Sequence, residues 1–156
     1  MTSHTITWHC LPFSELSLTQ LYAILQARSR VFVLEQNCPY LDVDGLDEAC
    51  FHLFATMKLN GKDEIAAYCR LLPAGLGFAE VSIGRVISLP IARGTGLGKE
   101  LLKRSLELCQ VHFPDQTIRI GAQQYLEKFY QGFGFVTDSD MYMEDGIPHV
   151  EMLIKK

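Results

Sequence analysis

The chain is expected to fold as a single α/β domain, and three features of its sequence carry that expectation. Strand-like and helix-like runs interleave along all 156 residues, with no repeat, low-complexity segment or composition shift to divide them. A chain of this length buries a sizeable core without disulfide or metal staples. The glycine-rich run Arg93-Gly94-Thr95-Gly96-Leu97-Gly98-Lys99 joins a strand-like segment, Val81 to Ile87, to a helix-like one, Lys99 to Phe113. The rest of the chain is read around that strand–turn–helix unit.

From the N-terminus, Thr5 to Leu11 alternates and is β-rich, which predicts a first strand. Ser17 is placed to cap a helix running from Leu18 to about Leu34. Its apolar residues Leu18, Leu21, Tyr22, Leu25, Phe32 and Val33 recur at helical spacing. Arg28 and Arg30 interrupt that run and are expected on a solvated face. Glu35 to Ala49 is irregular and carries Asp42, Asp44, Asp47 and Glu48. A calcium loop fails there: with Gly45 at the obligatory glycine, Tyr40 and Phe51 fall where carboxylates are required. The acidic residues are expected in a solvated loop, or as the rim that draws in a cationic amine.

Phe51 to Met57 and Glu64 to Leu72 predict two strands joined by a hairpin turn over Asn60-Gly61-Lys62-Asp63. Gly84 inside the next strand marks a bulge or a close backbone approach. The helix after the glycine turn keeps Leu101, Leu102, Leu106, Cys109 and Phe113 for the core and pairs Glu100 with Arg104 on its outer face. Pro114-Asp115 ends it. Thr117 to Gly121 predicts a strand, Gln123 to Phe133 a short helix, and Phe135 to Met143 with Val150 to Ile154 two closing strands.

Composition narrows the function. A net charge of −4 argues against a nucleic-acid partner, and no run of 18 apolar residues exists to span a membrane. Met1-Thr2-Ser3-His4 lacks the basic-then-apolar pattern of a secretory signal. Five scattered cysteines with no C-x-x-C suit a reduced, cytoplasmic protein and give a metal site no support.

The glycine turn points to phosphate. Free amides at a helix start carry the positive end of the dipole, and Lys99 and Lys103 add charge beside them. A Walker loop is excluded, because only three residues separate Gly94 from Gly98 and Glu100 stands where a hydroxyl is needed. A dinucleotide fingerprint is excluded by the G-x-G-x-G spacing and by Leu89-Pro90-Ile91-Ala92 after the strand.

What remains is Arg-x-x-Gly-x-Gly, read as Arg93, Gly96 and Gly98, which resembles the pyrophosphate-binding signature of the GNAT family of N-acetyltransferases. Tyr130-Gln131-Gly132-Phe133-Gly134-Phe135 resembles the Tyr-x-x-x-Gly-Phe ending common in that family. The element order agrees along nearly the whole chain, and Asn37-Cys38-Pro39-Tyr40 and Asp145 to His149 look most like its ElaA-like branch. The resemblance implies a mixed, mostly antiparallel central sheet, splayed in the middle and flanked by helices. It further implies acetyl-CoA as co-substrate, without a metal. The pantetheine arm would pair with Val86, Ile87 and Ser88, and the pyrophosphate would sit on the amides of Gly94, Thr95, Gly96, Leu97, Gly98 and Lys99. Gln123 stands where the family often has Asn against the cofactor arm. The acceptor would be a primary amine of a small molecule or peptide, and a homodimer is admitted.

For proton handling the resemblance implies Tyr130 as the acid that protonates the departing thiolate. The base is open between Glu80, whose partial burial would raise its pKa, and Glu35, His52, His149 or water. A non-catalytic acyl-CoA sensor or interaction module is the alternative to the enzyme.

Overall fold

In the computed structural model, which describes residues 5–156, two four-stranded sheets share one closed corner. The Met1-Thr2-Ser3-His4 segment lies outside the described residues. The first sheet runs in the order β1 (Ile6–Pro12), β2 (Phe51–Leu59), β3 (Lys62–Leu72), β4 (Ser82–Ser88), all antiparallel. Asn60 and Gly61 close the β2–β3 hairpin with φ of 52° and 78°, the paired left-handed geometry that Asn-Gly favours. In the second sheet β8 (Ile147–Ile154) lies centrally, with β5 (Ile118–Gln123) on one side and the short β6 (Val136–Thr137) and β7 (Tyr142–Glu144) on the other. The single strand expected over Phe135 to Met143 is thus two pieces, interrupted between Thr137 and Tyr142, where extra residues bulge from the register with β8 although Asp138 and Ser139 still hydrogen-bond to Glu151.

Helix α1 (Leu18–Arg28) begins at Ser17 with a complete capping box to Gln20. It passes into a π-helical turn over Ser29–Glu35. That widened turn shifts the helical phase. Upstream of it the buried stripe, Ile24, Ala27 and Arg28, continued by Val31, keeps ordinary helical spacing but is not the expected one, and Leu18 is 86% exposed. This stripe packs with Phe54, Tyr68 and Ile87 on one face of the first sheet. The opposite face takes α2 (Leu97–His112), whose Leu101, Leu102 and Cys109 meet Leu53, Cys69 and Leu71 in the main core. Each such fully buried leucine contributes about 1.5–3 kcal/mol relative to an exposed one. The last helix, α3 (Glu127–Gln131), follows a 3-10 turn, so Gln123 ends β5 instead of opening a helix.

The sheets touch at one parallel bridge, Val81 to Ile118, where the Arg119 N–H donates to the Val81 carbonyl at 2.8 Å. Beyond it β4 and β5 form no ladder among the described residues, and the two edges diverge. β4 also carries the expected irregularity: its register with β3 shifts by one residue beside Gly84, and Arg85 takes the extra position with φ of 52°. Among the described residues no helix is long and apolar enough to cross a membrane.

Candidate active site

The divergence of β4 and β5 opens a cleft of about 910 Å³. Val86, Ile87 and Ser88 line one wall, Gly121 and Gln123 the other, and Tyr130 reaches in from α3. At the open end lies the glycine turn. Gly94 and Gly96 have φ of 79° and 83°, backbone that side chains with a Cβ adopt only under strain. The first α-helical hydrogen bond runs from the Glu100 N–H to the Gly96 carbonyl, leaving the Leu97, Gly98 and Lys99 amides ahead of it without helical partners. Gly98 borders the cleft, whereas Gly96 and Lys99 border an adjoining hollow with Lys103 and Lys128. Together these groups make a concave, positively polarised surface suited to phosphate. The Arg93 guanidinium is held by the Ser88 carbonyl at 3.0 Å and by Glu35 at 2.6 Å, which ties the turn to the end of the π-helical segment. Gln123 faces the cleft with its amide donating to Gln36 at 3.3 Å.

Tyr130 is 6% exposed, packed edge-on against Phe129 and Phe135. Burial pushes its phenol well above the usual value, so it holds its proton. Its hydroxyl has no hydrogen-bond partner among the described residues, although its ring lines the cleft.

Glu80 is placed differently from the expectation. It precedes the Val81 bridge at the closed corner of the sheets, outside the cleft. A hydrogen bond from Arg119 at 3.0 Å lowers its pKa, opposite to the rise a base needs. Arg119 also binds Asp138 and Glu151, so Glu80 belongs to an ion-pair staple that closes the corner, with neither the place in the cleft nor the raised pKa expected of the base. His52 is fully buried away from the cleft. Its Nε2–H donates to the Asp47 carbonyl at 2.9 Å, its Nδ1 accepts from the Tyr68 hydroxyl at 2.8 Å, and desolvation lowers its pKa. It is a neutral packing residue. Glu35 and His149 do line the cleft.

Of the loop's four acidic residues Glu48 is exposed as expected, but the three aspartates are neither solvated nor a free rim. Asp42 and Asp47 are buried, and Arg28, expected on the surface, is 0% exposed between them. Its Nε lies 3.0 Å from Asp42 and its Nη1 2.6 Å from Asp47. Arg70 forks onto Asp44 and reaches Asp47 at 2.9 Å. Arg85 lies 2.8 Å from Asp42, off the line of a hydrogen bond, with its guanidinium over the Phe32 and Tyr40 rings. Three arginines thus balance three aspartates, and Arg70, Asp44 and Arg85 form the inner wall of the cleft. The Arg70 hydrogen bond, foremost, holds Asp44 well below the usual carboxylate range. Burial works against ionised Asp47, but hydrogen bonds and charge from Arg28 and Arg70 outweigh it. Sequence reasoning missed this wall. Its signal was Arg70 and Arg85 inside otherwise apolar strands, opposite a loop with surplus aspartates.

Burial pushes the Cys50 and Cys109 thiols up to about 11 and about 12, so they stay protonated. All five cysteines are free, and no cluster of metal-binding side chains occurs among the described residues.

Comparison with known proteins agrees with this architecture. The family model described as an acetyltransferase (GNAT) domain matches residues 49–156, more than half of the chain. The Escherichia coli protein ElaA is 46% identical over 147 residues, which cover 94% of this chain and 95% of that one. The crystal structure of an acyl-CoA N-acyltransferase from Pseudomonas aeruginosa superposes with a TM-score of 0.88 at 41% identity, covering 96% and 99% of the two chains. That of Escherichia coli ElaA gives 0.87 at 44% identity, covering 97% and 100%. The splayed sheets, the glycine turn and the length of these matches together establish that the chain belongs to the GNAT acyltransferase family.

Proposed function

We propose that the protein transfers an acetyl group from acetyl-CoA to a primary amine of a small molecule or peptide. The observation that carries this reading is that one cleft joins an unpaired β4 edge, a phosphate-suited turn at its end and a buried, protonated tyrosine. In this reading Val86, Ile87 and Ser88 offer backbone groups to the pantetheine amides. The amides of Gly94, Gly96, Leu97, Gly98 and Lys99 hold the pyrophosphate, the Thr95 N–H being engaged by the Ala92 carbonyl at 3.3 Å, and Gln123 borders the arm from β5. The acyl group arrives already activated, so the protein supplies orientation and proton management.

Tyr130 keeps its proton until thiolate forms. The burial that raises the phenol also raises a thiol formed beside it, so proton transfer within the cleft is not opposed by a large mismatch. Replacing Tyr130 with Phe preserves the ring and its packing. The expected result is a fall in kcat of about 10²–10⁴-fold, with CoA affinity and melting temperature unchanged. Thiol release from acetyl-CoA with a panel of amines, beside calorimetry with CoA, measures both. Retained kcat would assign thiolate protonation to another group; loss of stability with kcat would make the hydroxyl a structural element.

A further inference from the structure

We propose that His149, backed by Glu144, takes the proton from the acceptor's ammonium group, which makes the β7–β8 end of the cleft the acceptor site. The inference rests on the acyl-transfer reading above and adds to it the base and the place where the amine binds.

His149 lies on β8 opposite Gln123 of β5 and Tyr142 of β7, so all three share the face turned toward the gap. The Tyr142 ring stacks on the imidazole at 5.9 Å. Its hydroxyl covers Gly121, where a Cβ would come within 3.2 Å of it. His149 is only 8% exposed yet lines the cleft, beside the end of β5 where the gap is open.

The ring's hydrogen bonding fixes its chemistry. Nδ1 lies 2.7 Å from the Ile147 carbonyl, and a carbonyl can only accept, so Nδ1 carries a hydrogen. The neutral ring therefore has its lone pair on Nε2. That atom stands 3.4 Å from the Glu144 carboxylate, whose side chain is 58% exposed. A proton arriving at Nε2 thus gains an anionic partner, and both N–H groups of the resulting imidazolium have acceptors. The other titratable or charged neighbours are Tyr142 beside it and Asp145 in the β7–β8 turn. The Asp145 carbonyl accepts from the Cys38 thiol at 3.3 Å, and β5 contributes only the uncharged Gln123. No arginine or lysine pairs with Glu144 or Asp145 among the described residues, in contrast to the neutral Arg28–Asp42–Asp47–Arg70–Asp44–Arg85 wall. This end of the cleft is the anionic one and fits an ammonium group.

The proton balance closes. One ammonium proton passes to His149 Nε2, and the freed lone pair attacks the thioester carbonyl, forming the C–N bond. As the intermediate collapses the C–S bond breaks and the sulfur takes the Tyr130 proton. The surplus proton on the new amide nitrogen returns to the Tyr130 oxygen, and His149 releases its proton to water. Amide, thiol and one proton leave.

The test has a spectroscopic and a kinetic part, both on the full chain. In ¹⁵N spectra of the imidazoles, neutral His149 is expected as the Nδ1–H tautomer; a neutral Nε2–H form would overturn the proposal whether or not any amine is acetylated. With an amine that the wild type acetylates, His149→Gln is expected to lower kcat/KM for that amine by about 10²–10⁴-fold and to abolish the acid limb of its pH profile. Its CoA affinity by calorimetry stays at the wild-type value. Glu144→Gln, at an exposed position that cannot upset the fold, is expected to lower kcat by about twofold to fivefold, the worth of an exposed ion pair, with KM for acetyl-CoA unchanged. An unchanged pH profile and rate in His149→Gln would refute the assignment while leaving the acyl-transfer reading in place. If the wild type acetylates no amine, the acyl-transfer reading fails, and with it the catalytic role of His149.

Discussion

Replacing Arg28 with Met tests the buried ion network most directly. The substitution keeps the aliphatic volume but removes the guanidinium that holds Asp42 at 3.0 Å, Asp47 at 2.6 Å and the Asp42 carbonyl at 2.9 Å. Neither carboxylate is stripped bare: Asp42 retains Arg85 at 2.8 Å and the Tyr40 hydroxyl at 3.0 Å, and Asp47 retains Arg70 at 2.9 Å. Two cations then face three carboxylates, one buried negative charge too many. Removing one partner of a buried pair costs about 3–5 kcal/mol, and the surviving contacts put this case near 3. For a domain of this size that lowers the melting temperature by about 6–12 °C.

The pH dependence carries a second signature. Asp44 and Asp47 have folded pKa values below their unfolded ones, so they stabilise the wild type above the unfolded carboxylate pKa. That contribution is lost as pH falls through the folded values, below about pH 4. In Arg28→Met the excess carboxylate is favoured in its protonated form, so the difference between variant and wild type shrinks on acidification. Urea melts at pH 7 and pH 4, with Arg28→Met/Asp47→Asn as the charge-balanced partner, measure both effects. The double variant should recover part of the loss, about 0.5–3 kcal/mol of coupling. A loss below about 1 kcal/mol at pH 7, independent of pH, would mean that water solvates these charges in solution and would refute the buried network.

Two shorter predictions concern the cleft. Gly96→Val adds a Cβ that meets no protein atom within 4 Å, so the main cost to the fold is that of its left-handed backbone, about 1–2 kcal/mol. CoA binding should nonetheless be abolished in calorimetry, because the branched side chain occupies the space a pyrophosphate must enter; normal affinity would remove the turn from the binding site. Glu80→Gln should keep kcat while weakening stability at neutral pH slightly, as expected of one member of the Arg119 staple. A hundredfold loss of kcat would return the base to the start of β4.

Local pattern was enough for much of this protein. The capping box at Ser17, the Asn60-Gly61 hairpin, the bulge beside Gly84 and the glycine turn each depend on residues within a few positions of one another. Backbone conformation there follows from side-chain oxygens and missing Cβ atoms, so it is legible without a fold. The order of elements and both motifs, in register, pointed to the GNAT family for the same reason.

What the sequence could not decide was which distant charges meet. Arg28 and Asp47 are 19 residues apart and Arg70 and Asp44 are 26 apart, and only the packing of α1 and the irregular loop over β3 buries them together. In α1 the inward face is Ile24, Ala27 and Arg28, with Leu18 and Tyr22 left exposed, because the sheet it packs against selects the buried side from a helix with apolar residues on more than one face. Glu80 and His149 show the same division. In the sequence both are polar residues in or beside a strand, but tertiary contacts tie Glu80 to Arg119 at the closed corner and turn His149 into the open gap. A carboxylate's or imidazole's role depends on its partners and its access to water, and both are set only when the two sheets have met.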